Sequence, residues 1–251
     1  MNPSTDDIHN SLEAVASIRE LRRGNASLSA ANAAIKRFQA QRFQATYSDL
    51  LQSPRYETAA RFFLQELYSD KDYAERDQQF ARIAGTIAKL FPQSVLNTAA
   101  ALAEVHALTE QLDDAMARAY LDIRPGNQGD YSQIDIASYI SCWRQVADPS
   151  ARRHQLEVVL ALGRSLDSLT RKPGLRMLLK MMRGPASAAG LSSLQKFLES
   201  GFDAFQAMRG TDVFLKLIAE RETNWIQQLF EEDAVACETK LTALLADNAG
   251  I

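Results

Sequence analysis

Apolar residues recur at helical spacing from one end of this chain to the other, and no convincing strand-like alternation or Asn-Gly hairpin turn interrupts them. That restricts the fold to the all-α class, a compact bundle of about nine or ten helices without significant sheet. Ser4, Thr5 and the acidic pair Asp6 and Asp7 suit the start of a first helix, and Arg22, Arg23 and Gly24 suit its end. An alanine-rich helix follows, over roughly 27–51, and Pro54 opens the next. Ser69, Asp70 and Lys71 form a turn, and Pro92 starts a long helix running to about Tyr120. The stretch from Arg124 through Pro125, Gly126, Asn127, Gln128 and Gly129 to Asp130 is the clearest loop, so a single domain with a possible sub-division at 122–131 is expected. Beyond it, helices are expected near 132–147, 150–171, 173–183, 191–209, 211–230 and 233–246, with a second break from Arg183 through Gly190.

Angular position assigns the charged residues near the middle of the chain to the edges of apolar faces, because each residue turns a helix by about 100°. Tyr56, Ala60, Phe63, Leu64 and Leu67 form one face, with Glu66 on its shoulder and Gln65 pointing away toward water. In the next helix Tyr73, Phe80, Ile83, Ile87 and Phe91 share a face, flanked by Arg76 and Asp77. A desolvated charge needs an internal partner, so Glu66 is expected to pair with Arg76, or Asp77 with an arginine.

The heptapeptide Phe62-Phe63-Leu64-Gln65-Glu66-Leu67-Tyr68 resembles the signature of the FFLEELY-motif family of bacterial proteins, with Gln65 in place of the motif's first glutamate. The similarity extends into the Arg76-Asp77 stretch and the later helices. By the angles above, the departure at Gln65 falls on the wet side. The resemblance implies a bacterial source and no particular activity or cofactor.

With 251 residues, 46% hydrophobic and 24% charged, the composition is globular and sufficient for a sizeable core. A net charge of −3 argues against a protein whose whole surface binds polyanions. The first residues lack a basic start and apolar run, and no stretch is long and apolar enough to cross a bilayer, so a cytoplasmic location is expected. Cys142 and Cys237 are isolated, which supports neither a disulfide framework nor a cysteine zinc site. No phosphate-cradling glycine loop and no nucleophile-and-base arrangement stands out.

Two constellations could carry chemistry. His106 and Glu110 lie four residues apart on one helix face, a spacing that lets them share a metal ion or lets the acid orient the imidazole. Asp113 lies just off the midline of the same face, and with Glu66, Asp77 or another residue from a neighbouring helix His106 and Glu110 form a candidate metal site; His106 is also the helical histidine suited to an axial haem ligand. Paired Glu-x-x-His motifs of dinuclear bundles are missing, and the common role of such a histidine is a hydrogen bond between helices. His154 falls on the far side of its helix, where a solvated histidine is expected.

The second constellation is basic. Between Arg152 and Arg183 eight basic residues face two acidic ones, Glu157 and Asp167. Within this segment Leu175, Leu178, Leu179 and Met182 make one side of a short amphipathic helix, and Lys172, Arg176, Lys180 and Arg183 run along another. The strip suits a protein partner or a second copy, while the lack of interleaved aromatics argues against single-stranded nucleic acid and the lack of Trp against lipid. Such a helix also serves simply as core with a solvated edge, and the acidic Glu231, Glu232, Asp233 and Glu238 are available to neutralise it in cis.

Two features near the C-terminus remain. Gly201 sits mid-face in a stripe with Phe197, Phe202 and Phe205, where another backbone or a ligand can approach. Arg221 interrupts an apolar face and is expected to be buried on Glu222, Glu199, Asp203 or Asp167. The reading that follows is a non-catalytic binding or adaptor protein, with a metal- or haem-dependent enzyme as the competing one.

Overall fold

The computed structural model describes residues 4–66, 69, 71–90, 92–124, 130–146 and 149–248. Among them it forms thirteen helices and no strand: α1 (Thr5–Arg23), α2 (Ala26–Thr46), α3 (Ser48–Leu51), α4 (Glu57–Glu66), α5 (Ala74–Leu90), α6 (Gln93–Ile123), α7 (Ile136–Val146), α8 (Pro149–Thr170), α9 (Leu175–Met181), α10 (Arg183–Ala188), α11 (Ser192–Ala207), α12 (Asp212–Glu231) and α13 (Ala234–Asn248). The fold is all-α as read from the sequence, with somewhat more helices than the nine or ten expected. Two of the extra pieces, α3 and α10, are only four and six residues long. Leu67, Tyr68, Asp70, Phe91 and most of the 124–130 loop fall outside the described residues.

Local chemistry sets most of the ends. Ser4 and Asp7 form a reciprocal capping box, each side chain accepting from the other's backbone amide. Gly24 ends α1 in the right-handed region, so its special backbone freedom is not used. Asn25 redirects the chain instead, its side chain accepting from the Leu28 amide at 3.0 Å. The expected helix over 27–51 breaks at Tyr47, whose ring packs 4.5 Å from Phe43 and whose hydroxyl donates to Glu222 at 2.8 Å. Gly190, expected as part of a plain break, closes α10 with a left-handed φ of 66°.

The longest helix, α6, extends about 46 Å at 1.5 Å per residue and packs against α1, α2, α5, α7 and α8. Three apolar clusters make up the core, and α6 takes part in two of them. One joins α2, α6, α7, α12 and α13 through Met116, Tyr120, Tyr139, Trp143 and Leu229. A second joins α2, α3, α4, α11 and α12 through Phe43, Phe63, Phe205 and Phe214. The third joins α1, α5, α6 and α11 through Ile8, Phe80, Ile87, Leu96 and Phe197. In the heptapeptide helix, Ala60 and Phe63 are buried, Tyr56 and Leu64 half-buried and Gln65 exposed, as the angles require.

Arg221 is not the buried arginine. It forms a two-pronged pair with Asp49 at 2.7 and 2.8 Å and also donates to the Thr46 carbonyl, with 27% and 56% of the two side chains exposed. Asp49 was outside the expected partners because it comes from α3, a helix the sequence did not separate. Arg42 of α2 is enclosed instead, bound to Glu222 of α12 at 2.8 and 3.3 Å. Removing one partner of an enclosed pair strands the other charge. Arg42→Ala should therefore lower unfolding stability by about 3–5 kcal/mol, and Arg221→Ala by about 1 kcal/mol or less. Urea titration of both variants compares them directly.

Candidate functional site

The inward face of α6 holds the first group of candidate residues. His106 Nε2 lies 2.9 Å from Asp77 Oδ2 of α5, and Arg19 of α1 donates to the same oxygen at 2.9 Å. Burial pushes the Asp77 carboxyl up, but His106, Arg76 and Arg19 outweigh it and hold the group below the usual carboxylate range. Arg76 also reaches Glu66 at 3.2 Å and stacks over Tyr73, 4.0 Å from its centroid. The expected Glu66 and Arg76 pair is thus formed, and Asp77 has its arginine as well.

Glu110 turns to different partners. Arg22 from the last turn of α1 and Lys36 of α2 both donate to its carboxylate, which is almost wholly enclosed. Burial alone would raise this group; the two cations outweigh burial and draw it down from 4.5 to about 2. Next to it Asp113 is sealed from water and accepts a 3.0 Å bond from Gln39, and burial raises its carboxyl above the usual range.

His106, Glu110 and Glu66 line the same small cleft, of about 30 Å³. Within it, however, the carboxylates point to cations and His106 points to Asp77. Among the described residues no three His, Cys, Asp or Glu side chains are gathered in a way that could hold a metal ion. Arg22 and Lys36 were the partners that sequence reasoning missed, since each lies on a helix distant in the chain. His154 is exposed, 3.1 Å from Glu104, consistent with its solvated reading. Burial raises the Cys142 thiol to about 11 and Cys237 in the same direction, which keeps both unreactive.

The second group surrounds a much larger void. Between α5, α6, α8 and α11, beneath α9 and α10, lies a cavity of about 420 Å³. It falls where the second and third apolar clusters do not close on each other, with Phe63 and Phe205 of one and Phe80, Ile87 and Phe197 of the other in its wall. Nearly all of its wall is hydrocarbon. Of the four polar residues there, Thr86, Thr98, Thr170 and Gln195, three have donors already spent on the protein: Thr98 and Thr170 donate to carbonyls of their own helices, and Gln195 donates to the Leu179 carbonyl and to Glu199.

The apolar side of α9 read from the sequence, Leu175, Leu178, Leu179 and Met182, roofs this cavity. Its basic side divides. Arg176 and Arg183 are held by Glu199, and Arg176 also by Asp203 at 2.7 Å, while Lys172 donates to the Ser94 hydroxyl at 2.7 Å. Neutralisation in cis thus comes from α11 and not from the acidic tail, where Glu232 is engaged by Lys240 and Glu231 approaches Arg153. Gly201 admits neither a backbone nor open space: a Cβ there would meet the tip of the Phe62 ring at 3.0 Å, and both residues border the cavity. At Gly163 a Cβ would come within 2.6 Å of Leu215, so that glycine permits the close approach of α8 and α12. These two glycines were the available sequence signals of unusual packing around the void.

Helical architecture, an apolar cavity and charge-paired seams define the class as an all-α protein with an internal hydrophobic pocket. Residues 19–236 match the family described as a domain of unknown function, DUF8198, and the chain belongs to that family. Comparison with curated proteins and with solved structures found no match. No described helix is long and apolar enough to cross a membrane.

The seam around Glu110 gives a pH prediction. A carboxyl drawn down from 4.5 to about 2 adds stability that is fully present above pH 4.5 and is lost as the pH falls toward 2. Glu110→Gln should cost about 3 kcal/mol at pH 7, and the deficit should shrink across that acid window. Denaturant midpoints of the parent and variant at pH 7, 4.5 and 2.5 measure it.

Proposed function

We propose that this chain is a non-catalytic binding protein whose ligand is an apolar small molecule held in the cavity beneath α9 and α10. The carrying observation is the cavity itself, about 420 Å³ of space inside hydrocarbon walls. An unfilled apolar space forfeits the contacts that its lining atoms would otherwise make. Water gains little there, because the wall offers it few free partners. An apolar occupant recovers the lost contacts, and the volume lies in the usual range of small-molecule pockets.

The same reading takes the chain as a bacterial, cytoplasmic protein of the FFLEELY-motif group, on the strength of the heptapeptide. It takes Lys172, Arg176, Lys180 and Arg183 as the surface offered to a protein partner or a second copy. The competing enzyme reading has one observation in its favour, the shared cleft of His106, Glu110 and Glu66. Stoichiometric metal by elemental analysis, lost on His106→Ala, would support it, and metal-free protein would count against it.

The pocket reading is tested with N-phenyl-1-naphthylamine, a neutral probe that brightens in apolar surroundings, added to protein stripped of co-purified lipid. Saturable binding of one probe per chain is expected. Leu166→Trp, which fills the void, should weaken that binding by about tenfold or more while melting stays level or rises. Equal probe response in both proteins, or none in the parent, would overturn the proposal.

A further inference from the structure

Resting on the pocket reading, we infer that the cavity takes a single unbranched hydrocarbon chain and that α9 with α10 is the lid under which the chain passes, held shut by Glu199. Size and reach carry the ligand class. An apolar cavity of about 150 Å³ holds one benzene, so 420 Å³ accommodates about 17 carbon atoms by the same proportion. Its walls come from seven helices, α4, α5, α6, α8, α9, α10 and α11, and include both the lid residues Leu179 and Met182 and the deeply buried Phe63 and Phe205. An apolar space of that capacity, reaching from the lid to the core, fits a flexible acyl-type chain of about that carbon count, which a fused-ring sterol exceeds.

The lid argument rests on independent observations. No residue of α9 is buried, and α10 buries only Ala186. The segment begins after Gly174 and ends at Gly190, both with positive φ, at 79° and 66°. Both glycines adopt a conformation that other residues take only with strain, so the backbone can pivot at each end of the segment. What fastens the segment is polar and lateral. Glu199 holds Arg176 of α9 and Arg183 of α10 together and accepts from Gln195, while Arg82 donates to the carbonyls of Ala189 and Gly190 at 2.8 and 2.9 Å. Met177 and Met181 face outward, 67% and 68% exposed, so the apolar side chains of α9 divide between solvent and cavity. A segment with few buried contacts of its own and a few breakable bonds is the part of a fold that opens at low cost. Glu199 does not line the cavity, so it can hold the lid without touching the ligand.

The test uses the full chain and cis-parinaric acid, an eighteen-carbon fluorescent fatty acid, followed by stopped-flow mixing. Parinarate should bind one per chain and be displaced by palmitate and by hexadecanol, with cholesterol displacing it poorly. Glu199→Gln should speed both association and dissociation by about tenfold and leave the equilibrium affinity within about threefold. Arg183→Gln, at an exposed site, should do the same more weakly and serves if the first variant folds poorly. Unchanged rates in both variants would overturn the lid, and displacement by cholesterol as strong as by palmitate would overturn the ligand class. Naphthylamine binding without parinarate binding would overturn this inference while leaving the pocket reading intact, whereas loss of both would remove both.

Discussion

Enclosed carboxylates on α6 and their cations are the interaction on which the rest of this structure depends. A 31-residue helix placed among five others must turn some charged side chains inward, and each unpaired one would cost several kcal/mol. Glu110 meets that constraint with two cations from two helices, Arg22 of α1 and Lys36 of α2. One turn nearer the N-terminus, His106 meets Asp77 of α5, which also takes Arg19 of α1. These contacts tie α1, α2 and α5 to α6 in one register, because sliding any of them would strand a charge. Arg42 and Glu222 do the same for α2 and α12.

The half of the molecule that carries the cavity is held differently. There the helices meet through phenylalanine, leucine and methionine side chains, and the second and third apolar clusters leave a gap between them. Hydrocarbon contact is non-directional, so it tolerates an opening that charge pairing would not. Among the polar bonds on this side, those of Glu199 and Arg82 fasten the α9 and α10 segment. A firmly registered frame with one compliant, apolar flank is a physical arrangement suited to holding a flexible guest.

Legibility of these features followed the range of the interaction. The partnership of Glu66 with Arg76 was readable because both lie in adjacent helices and the 100° rule gives their faces. The same rule placed Gln65 in water and Leu175, Leu178, Leu179 and Met182 on one side of α9. It could not reveal that Glu110 turns to Arg22 and Lys36, since nothing local states which helix comes to lie across α6. Arg221 and Arg42 show the same limit: only the placement of α3 and α12 against α2 decides that Arg42 is enclosed on Glu222 and Arg221 half-exposed on Asp49. Gly201 was recognised as a gap in an apolar face, but a gap has no label for its occupant, here the ring of Phe62.

The sequence by itself determined that the chain is helical throughout, where most helices begin and end, and which residues of each share a face. Helix periodicity and capping act over a few residues, so they are written in neighbouring letters. Tertiary structure alone decided which faces meet, which cations neutralise the α6 carboxylates and that the phenylalanine stripe of α11 borders a void as well as a core. A cavity is the space that packed surfaces fail to fill, and its size depends on distances between helices that no single helix encodes.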